Sequence, residues 1–252
     1  MKKLLIILSV VVISISCKTG NTGTKSDLEA SNLKGQVWKV EKVVHNAMGK
    51  TVCPAAEKAE CNNSVFVYGK NGYLIESSEI DEDGKVSESS KYLYGGSDLC
   101  KGIEKYAANV LKGKEINTYK NGKLTEVRVF NEQGETESIL TYEYSGSELT
   151  GGKVFNKAGE LISSFRNEYS NGRLIKQTSL DKSGSPSSVT SFIRNEKNDV
   201  IEYHVLTPQD NNEFKVINEF EYDNQGNWIK KTQKYDGQIV GIVMRNITYY
   251  NS

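Results

Sequence analysis

Apolar and polar residues alternate in short runs along most of this chain, and the runs are broken by polar reversals of related chemistry. These reversals read Tyr68-Gly-Lys-Asn-Gly-Tyr-Leu74, Tyr119-Lys-Asn-Gly-Lys-Leu124, Phe155-Asn-Lys-Ala-Gly-Glu-Leu161 and Tyr169-Ser-Asn-Gly-Arg-Leu174. In each, an aromatic residue closes one extended segment, Gly or Asn supplies the φ-permissive backbone of a reversal, and Leu opens the next segment. Alternation of period two bounded by such turns predicts β-hairpins.

The reversals are periodic. The residues that restart each segment, from Leu74 through Val86, Leu99, Leu111, Leu124, Thr136, Leu149, Leu161 and Leu174 to Pro186, are separated by alternating steps of 12 and 13. That is a 25-residue repeat of two strands. After Pro186 the step loosens to 14 at Val200, Phe214 and Trp228, then shortens to 11 at Ile239, as expected at the atypical end of a repeat array.

The strands so predicted cover 74–80, 86–94, 99–106, 111–119, 124–130, 136–144, 149–155, 161–169, 174–180, 186–193, 200–206, 214–222, 228–235 and 239–250. Two more precede them, over 33–44 and 64–68. In the first, Val37, Trp38, Val40 and Val43 are candidate core residues, and the alternation slips near Trp38, which suggests a bulge or two-sided burial. Leu99, Ile103, Tyr106 and Val110 also fall at helical spacing after Ser97, but the repeat runs through them without a slip, so strand is favoured. Short loops imply a meander paired in sequence order. The expected fold is therefore all-β: an antiparallel meander of about 14 to 16 short strands, rolled by its twist into a curved open sheet or a partly closed barrel. A transmembrane barrel is disfavoured, because segments such as 174–180 and 228–235 are short and lack a continuous apolar row.

The most complete reversal, Tyr222-Asp223-Asn224-Gln225-Gly226-Asn227-Trp228, resembles the tyrosine-aspartate (YD) repeats of the Rhs and teneurin families. The resemblance implies β-hairpin architecture over roughly residues 64–250. Only 222–228 carry the full motif; Gly69, Lys120, Asn156 and Ser170 stand where Asp223 does. With so few repeats, the shell that Rhs proteins build around a second domain is not implied.

Upstream of the repeats the pattern changes. Met1-Lys2-Lys3 and the apolar run 4–15 have the form of a signal peptide, too short to span a bilayer, which needs roughly 20 residues. Ser14-Ile15-Ser16-Cys17 resembles the lipobox of bacterial lipoproteins, with Ser14 where Leu is usual. The resemblance implies lipidation of Cys17; the alternative is a free Cys after an ordinary signal peptide. Residues 18–31 are polar and rich in Gly, Thr, Ser and Asn, the composition of a flexible tether. The domain reading is a lipoprotein signal peptide over 1–16, a lipidated Cys and tether over 17–32, and one β-hairpin repeat domain over 33–252. No acidic cluster of the kind that resembles surface-export signals in some Bacteroidetes follows Cys17, which favours an outer-membrane lipoprotein facing the periplasm.

Composition then narrows the chemistry. The 32 basic and 32 acidic side chains balance, and loss of Lys2 and Lys3 with the signal peptide leaves a charge of −2. No basic stripe stands out, so nucleic acid is not an expected partner. Cys53 and Cys61 are eight apart in a compartment where disulfides persist, and a bridge between them is the favoured reading. Cys100 could compete for either partner or be buried as a small hydrophobe. Neither His45 nor His204 completes a metal-ligand spacing, so no metal is expected.

No nucleophile, phosphate-loop or zinc-protease motif appears, and no catalytic residue or cofactor is assigned. Glu202 and His204 fall on one face of a strand as a solvated pair, and Asp81 and Asp83 sit in a turn that favours Asp for bonding its own backbone. The aromatics at strand ends read as a structural ladder against the Leu of the next strand, with a sugar-stacking platform as the alternative. Trp38 and Trp228 depart most from the register and are the candidate binding residues. The functional expectation is a lipid-anchored, non-catalytic envelope scaffold whose partners are the membrane, through its lipid, and a glycan or envelope protein. The rivals are a hydrolase acting on glycan or peptidoglycan through strand carboxylates, and a passive spacer.

Overall fold

A computed structural model describes residues 26–46, 63–95 and 98–251. Sixteen antiparallel strands follow a one-turn helix, α1 (Asp27–Ala30). They are β1 (Val37–Asn46), β2 (Asn63–Tyr68), β3 (Leu74–Ile80), β4 (Val86–Tyr94), β5 (Cys100–Ala107), β6 (Val110–Lys120), β7 (Lys123–Asn131) and β8 (Thr136–Ser145), then β9 (Glu148–Asn156), β10 (Leu161–Ser170), β11 (Arg173–Asp181), β12 (Pro186–Arg194), β13 (Val200–Thr207), β14 (Asn212–Tyr222), β15 (Trp228–Tyr235) and β16 (Gln238–Tyr249).

Each strand pairs with its neighbour in sequence, and β1 pairs with β16 to close the barrel. The seam is well made: Val40 lies opposite Ile247 and Val44 opposite Val243. The expected meander is present, and closure is complete rather than partial, which removes the exposed edges an open sheet would leave. The stretch with helical spacing is the strand pair β5–β6. The slip near Trp38 is a bulge between Val37 and Lys39.

Turn chemistry explains the regular reversals. In the turns that follow Asp81, Asn131, Asn156, Asp181, Asn195 and Asp223, the backbone N–H of that residue donates to the carbonyl four residues on. Its side-chain Oδ1 accepts the N–H of that same fourth residue. Two-residue turns such as Asn121-Gly122 and Asn171-Gly172 place both residues at positive φ, between 51° and 74°, the conformation that Asn-Gly adopts at low cost.

At the end of the barrel where the odd-numbered strands begin, aromatic and apolar residues face each other across strand pairs: Tyr68 with Leu74, Tyr119 with Leu124, Tyr144 with Leu149, Tyr169 with Leu174. These pairs are the expected ladder. They and their period-two neighbours point inward, where Leu124, Val127, Tyr142, Leu149 and Phe165 form one buried cluster. Gly152 lies between Tyr142 and Phe165 in the register. A Cβ there would meet both Phe165 Cε1 and the Thr141 carbonyl oxygen at 2.6 Å. Gly152→Ala is therefore expected to lower stability by about 2 to 3 kcal/mol, measured as a shifted denaturation midpoint with unchanged slope.

The outward positions carry charge along the strands, with Glu126 and Arg128 3.0 Å apart in the middle of β7. Glu168 pairs with Lys176 at 2.8 Å, Glu221 with Lys230 at 2.6 Å and Glu219 with Lys234 at 2.6 Å, each between an exposed Glu and an exposed or half-buried Lys. Outward apolar residues stand among these charges: Ile116 opposite Arg128, and Ile193 and Ile217 on either side of Glu202. Each surface pair adds little stability. Their weight lies in composition, since a lipid-embedded barrel presents an apolar band about 25 Å tall on this face.

Of the expected tether over 17–32, residues 26–32 are among those described. Residues 26–32 pack on the barrel, with Asp27 and Leu28 buried, and the first strand begins at Val37 rather than at 33. Leu33 is also buried, in a cluster with Leu28, Val37, Val40, Tyr68 and Leu74. The expected signal peptide, Cys17, Cys53 and Cys61 lie outside the described residues.

Candidate functional site

Residues 26–36 form a strap across the barrel end where the odd-numbered strands begin. It opens with a capping box: Glu29 N–H donates to Ser26 Oγ, and Ser26 N–H donates to Glu29 Oε2 at 2.9 Å. The buried Asp27 carboxylate accepts from Leu74 N–H at 2.8 Å and from the Tyr94 hydroxyl at 2.7 Å. Farther along, Asn32 Nδ2 donates to Lys197 O and Asp199 Oδ1, both at 2.9 Å. Lys34 is gripped by Asn227, whose Oδ1 accepts its N–H and whose Nδ2 donates to its carbonyl. The strap thus runs from the β2–β3 turn to the β12–β13 and β14–β15 turns.

Beneath it lies a cavity of about 400 Å³, walled by Ala30, Ser31 and Asn32 of the strap and by the strap-side ends of β11 to β15. Arg173 follows the Asn171-Gly172 turn, Arg194 ends β12, and Asp199 closes the next turn. From β14 come Asn218 and Phe220, and from β15 Trp228 and Lys231. The inward direction of Arg194, Phe220, Trp228 and Lys231 follows from the register, in which Arg194 faces Val200, Phe220 faces Lys231 and Tyr222 faces Trp228, whereas Arg173, opposite Ser170, is exposed at the rim.

The lining is cationic. Arg173, Arg194 and Lys231 contribute positive charge against one carboxylate, Asp199, which already accepts from Asn32 and from the Tyr222 hydroxyl at 2.9 Å. Burial lowers the Arg194 pKa, with Asp199 opposing the shift. Behind the lining, the Arg245 guanidinium stacks 3.4 Å from the centroid of Trp228 and fixes the indole. Burial brings Arg245 down to about 10, so it remains a cation at neutral pH. Phe220 packs against Trp228 with centroids 5.8 Å apart.

Asn218 is 6% exposed; its Nδ2 donates to Val200 O at 2.8 Å, while its Oδ1 has no hydrogen-bond partner. The same inward Asn recurs as Asn117 on β6 and Asn167 on β10, bonding Cys100 O and Leu149 O. Asn167 Oδ1 is satisfied by Gln177, and Asn117 Oδ1 is not.

Of the two tryptophans singled out from sequence, Trp228 lines this cavity and Trp38 does not. Trp38 occupies the β1 bulge, 42% exposed, with Lys39 Nζ 5.6 Å from its ring. Cys100 is buried beside Ile103, Tyr92 and Tyr94, in the role of a small hydrophobe. Glu202 and His204 sit together outside the barrel, 2.7 Å apart, with Lys215 3.3 Å from Glu202. The hydrogen bond from His204 lowers the Glu202 pKa. Asp81 Oδ1 accepts from Asp83 and Lys85 N–H, as a turn-forming Asp does.

Arg194, Lys231 and Asn218 were not singled out from the pattern, yet a signal for two of them was present. Arg194 holds the strand-end place that Tyr94, Tyr119, Tyr144 and Tyr169 hold elsewhere. Lys231, three residues after Trp228, holds the inward place of Ile103, Val127, Gly152 and Tyr203. The repeat abandons its own inward chemistry there.

No protein-family model matches the chain, and no curated protein matches it. Among solved structures, a porin-like protein from Bacteroides uniformis superposes with a TM-score of 0.55 over 86% of this chain and 98% of its own, at 12% identity. A porin-like protein from Bacteroides vulgatus gives 0.52, with 86% and 100% covered, also at 12% identity. At that identity the likeness is one of fold: this chain is similar to those two proteins in its architecture.

Proposed function

We propose that this chain is a lipid-anchored protein of the bacterial cell envelope, a non-catalytic β-barrel scaffold that binds a glycan or an envelope component at its strapped end. The observation that carries the reading is the reversal of faces. Charged groups such as the Glu126–Arg128 pair in the middle of β7 stand outward, while the aromatic ladder points inward. A barrel of this kind is at home in water, and attachment to a membrane then falls to the lipid on Cys17.

The cavity supports binding over hydrolysis, because Asp199 is the one carboxylate in its lining and is held by Asn32 and Tyr222. Glycoside hydrolysis ordinarily uses two carboxyl groups facing one bond. Periplasmic orientation follows the missing acidic cluster after Cys17.

Fractionation of cells expressing the native chain tests the anchor. Native protein is expected in the membrane pellet, protected from protease added to intact cells, and Cys17→Ala is expected in the soluble envelope fraction with its barrel folded. Retention of a folded Cys17→Ala variant in the membrane would mean that the barrel itself is the membrane-bound part and would refute the anchor.

A further inference from the structure

We propose that the cavity under the strap binds an acidic sugar: a small, hydroxylated ring compound bearing a carboxylate or phosphate. The proposal rests on the binding reading above and names its ligand class.

Three properties of the lining converge on this class. The first is charge. Arg194 and Lys231, with Arg173 at the exposed rim, line a space whose one carboxylate, Asp199, is already engaged. Arg194 gives an N–H to Asn198 O at 2.9 Å, and a guanidinium has five N–H donors. Arg194 and Lys231 are half-buried, and an anion shared between them offsets the cost of drawing like charges out of water. The second is a spare acceptor. Asn218 has committed its amide N–H to Val200 O, so its unpartnered Oδ1 calls for an O–H or N–H donor. Asn117 leaves the same atom unpartnered, whereas Asn167 Oδ1 accepts from Gln177; at Asn218 the orphan lies in the wall of the cation-lined cavity. The third is an apolar wall. Phe220 and the Arg245-backed Trp228 offer ring surface to the C–H face of a sugar.

A bare inorganic anion uses the charges but not Asn218 or the rings. A neutral sugar uses the rings and Asn218 and leaves the excess positive charge of the lining unbalanced. An apolar acid uses the charges and rings and leaves Asn218 unmet. A hydroxylated cyclic anion meets all three, and about 400 Å³ is within the range of small-molecule sites, roughly 300 to 1,000 Å³.

The test is titration calorimetry on the full chain in mild detergent, with glucuronate, galacturonate, N-acetylneuraminate and glucose 6-phosphate as probes. Glucose and inorganic phosphate are the controls. At least one acidic sugar is expected to saturate the protein with affinity tenfold or more above both controls, and the carboxylate and phosphate probes separate the two anion types. Lys231→Met and Arg194→Gln are each expected to weaken that binding about tenfold or more, the loss typical of a charge-assisted hydrogen bond. Asn218→Leu is expected to narrow the preference over the apolar acid cyclohexanecarboxylate, and circular dichroism establishes that each variant is folded.

Equal binding of glucose and glucuronate would overturn the proposal, as would binding of phosphate as tight as that of every sugar. Unchanged affinity in folded Lys231→Met and Arg194→Gln would overturn the assignment to this cavity. Failure of all four acidic sugars, with the native chain still in the membrane fraction, would overturn the ligand class while leaving the anchored scaffold standing.

Discussion

Asp27→Ala is expected to cost about 3 kcal/mol and to release the strap from the barrel end. The carboxylate is 5% exposed and accepts two hydrogen bonds, from Leu74 N–H at 2.8 Å and Tyr94 O–H at 2.7 Å. Hydrogen bonds to a charged acceptor contribute about 1.5 to 3 kcal/mol, and leaving the Leu74 N–H buried without a partner adds to the loss. Asn at this position keeps an acceptor oxygen of similar reach, so Asp27→Asn is expected to lose about 1 kcal/mol. Hydrogen exchange resolves where the loss falls. The Leu28 and Leu33 amides, which donate to Gly72 O and Leu28 O, should exchange much faster in Asp27→Ala while those of β7 to β10 stay slow. Residues 26–32 behaving as a tether would give no change at either place, so the variant separates a docked strap from a loose one directly.

That strap is also where the sequence was least informative. A four-residue helix has no periodicity to read, and residues 18–31 have the polar composition of a linker. Leu28 and Leu33 are apolar, but their burial exists only once the barrel end is there to receive them. Closure was hidden for a related reason. The seam joins Val40 to Ile247, and its formation depends on the summed twist and curvature of all the strands between, which local patterns do not fix. Local chemistry, by contrast, was legible. The Asn-Gly pairs, the Asx residues that cap the longer turns, and the aromatic-to-Leu spacing are short-range devices, and each strand pair forms where they place it.

The candidate site falls between these cases. Trp228 was visible as a break in register, and it lines the cavity. Arg194 and Lys231 resemble ordinary surface charges when read singly, because strands of this chain carry Lys and Arg on their outward face throughout. Their inward direction appears only when positions are counted from each turn, including the residue that each bulge absorbs. The bulge between Glu221 and Tyr222 moves Trp228 inward and fixes the phase of Lys231 behind it.

The YD-like turn that ends this array makes the last prediction. Asn227 is 1% exposed and serves as a hub: Oδ1 accepts Lys34 N–H at 2.8 Å, and Nδ2 donates to Lys34 O at 2.9 Å and to the Tyr249 hydroxyl at 2.8 Å. The Tyr249 hydroxyl in turn donates a hydrogen bond to Asp223 at 2.5 Å. Burial first, and then that bond, push its pKa up to about 12, so it stays protonated and its oxygen is free to accept from Asn227. Asn227→Ala removes three hydrogen bonds and strands the Lys34 backbone, for an expected loss of about 3 to 4 kcal/mol in chemical denaturation. Asn227→Asp is the sharper test. Its carboxylate still accepts from Lys34 but has no donor for Lys34 O, and it meets the Tyr249 oxygen beside Asp223 with a second negative charge. The loss at pH 7 should equal or exceed that of Asn227→Ala. Opposed in this way, the new carboxyl has a folded pKa raised above its unfolded value near 3.9, so its protonated form is the one the fold favours. Stability relative to Asn227→Ala should therefore recover as pH falls below about 5 and decline again as pH rises through the folded pKa. A flat difference between the two variants across that range would mean that Tyr249 and Asp223 do not hold Asn227 in the arrangement described.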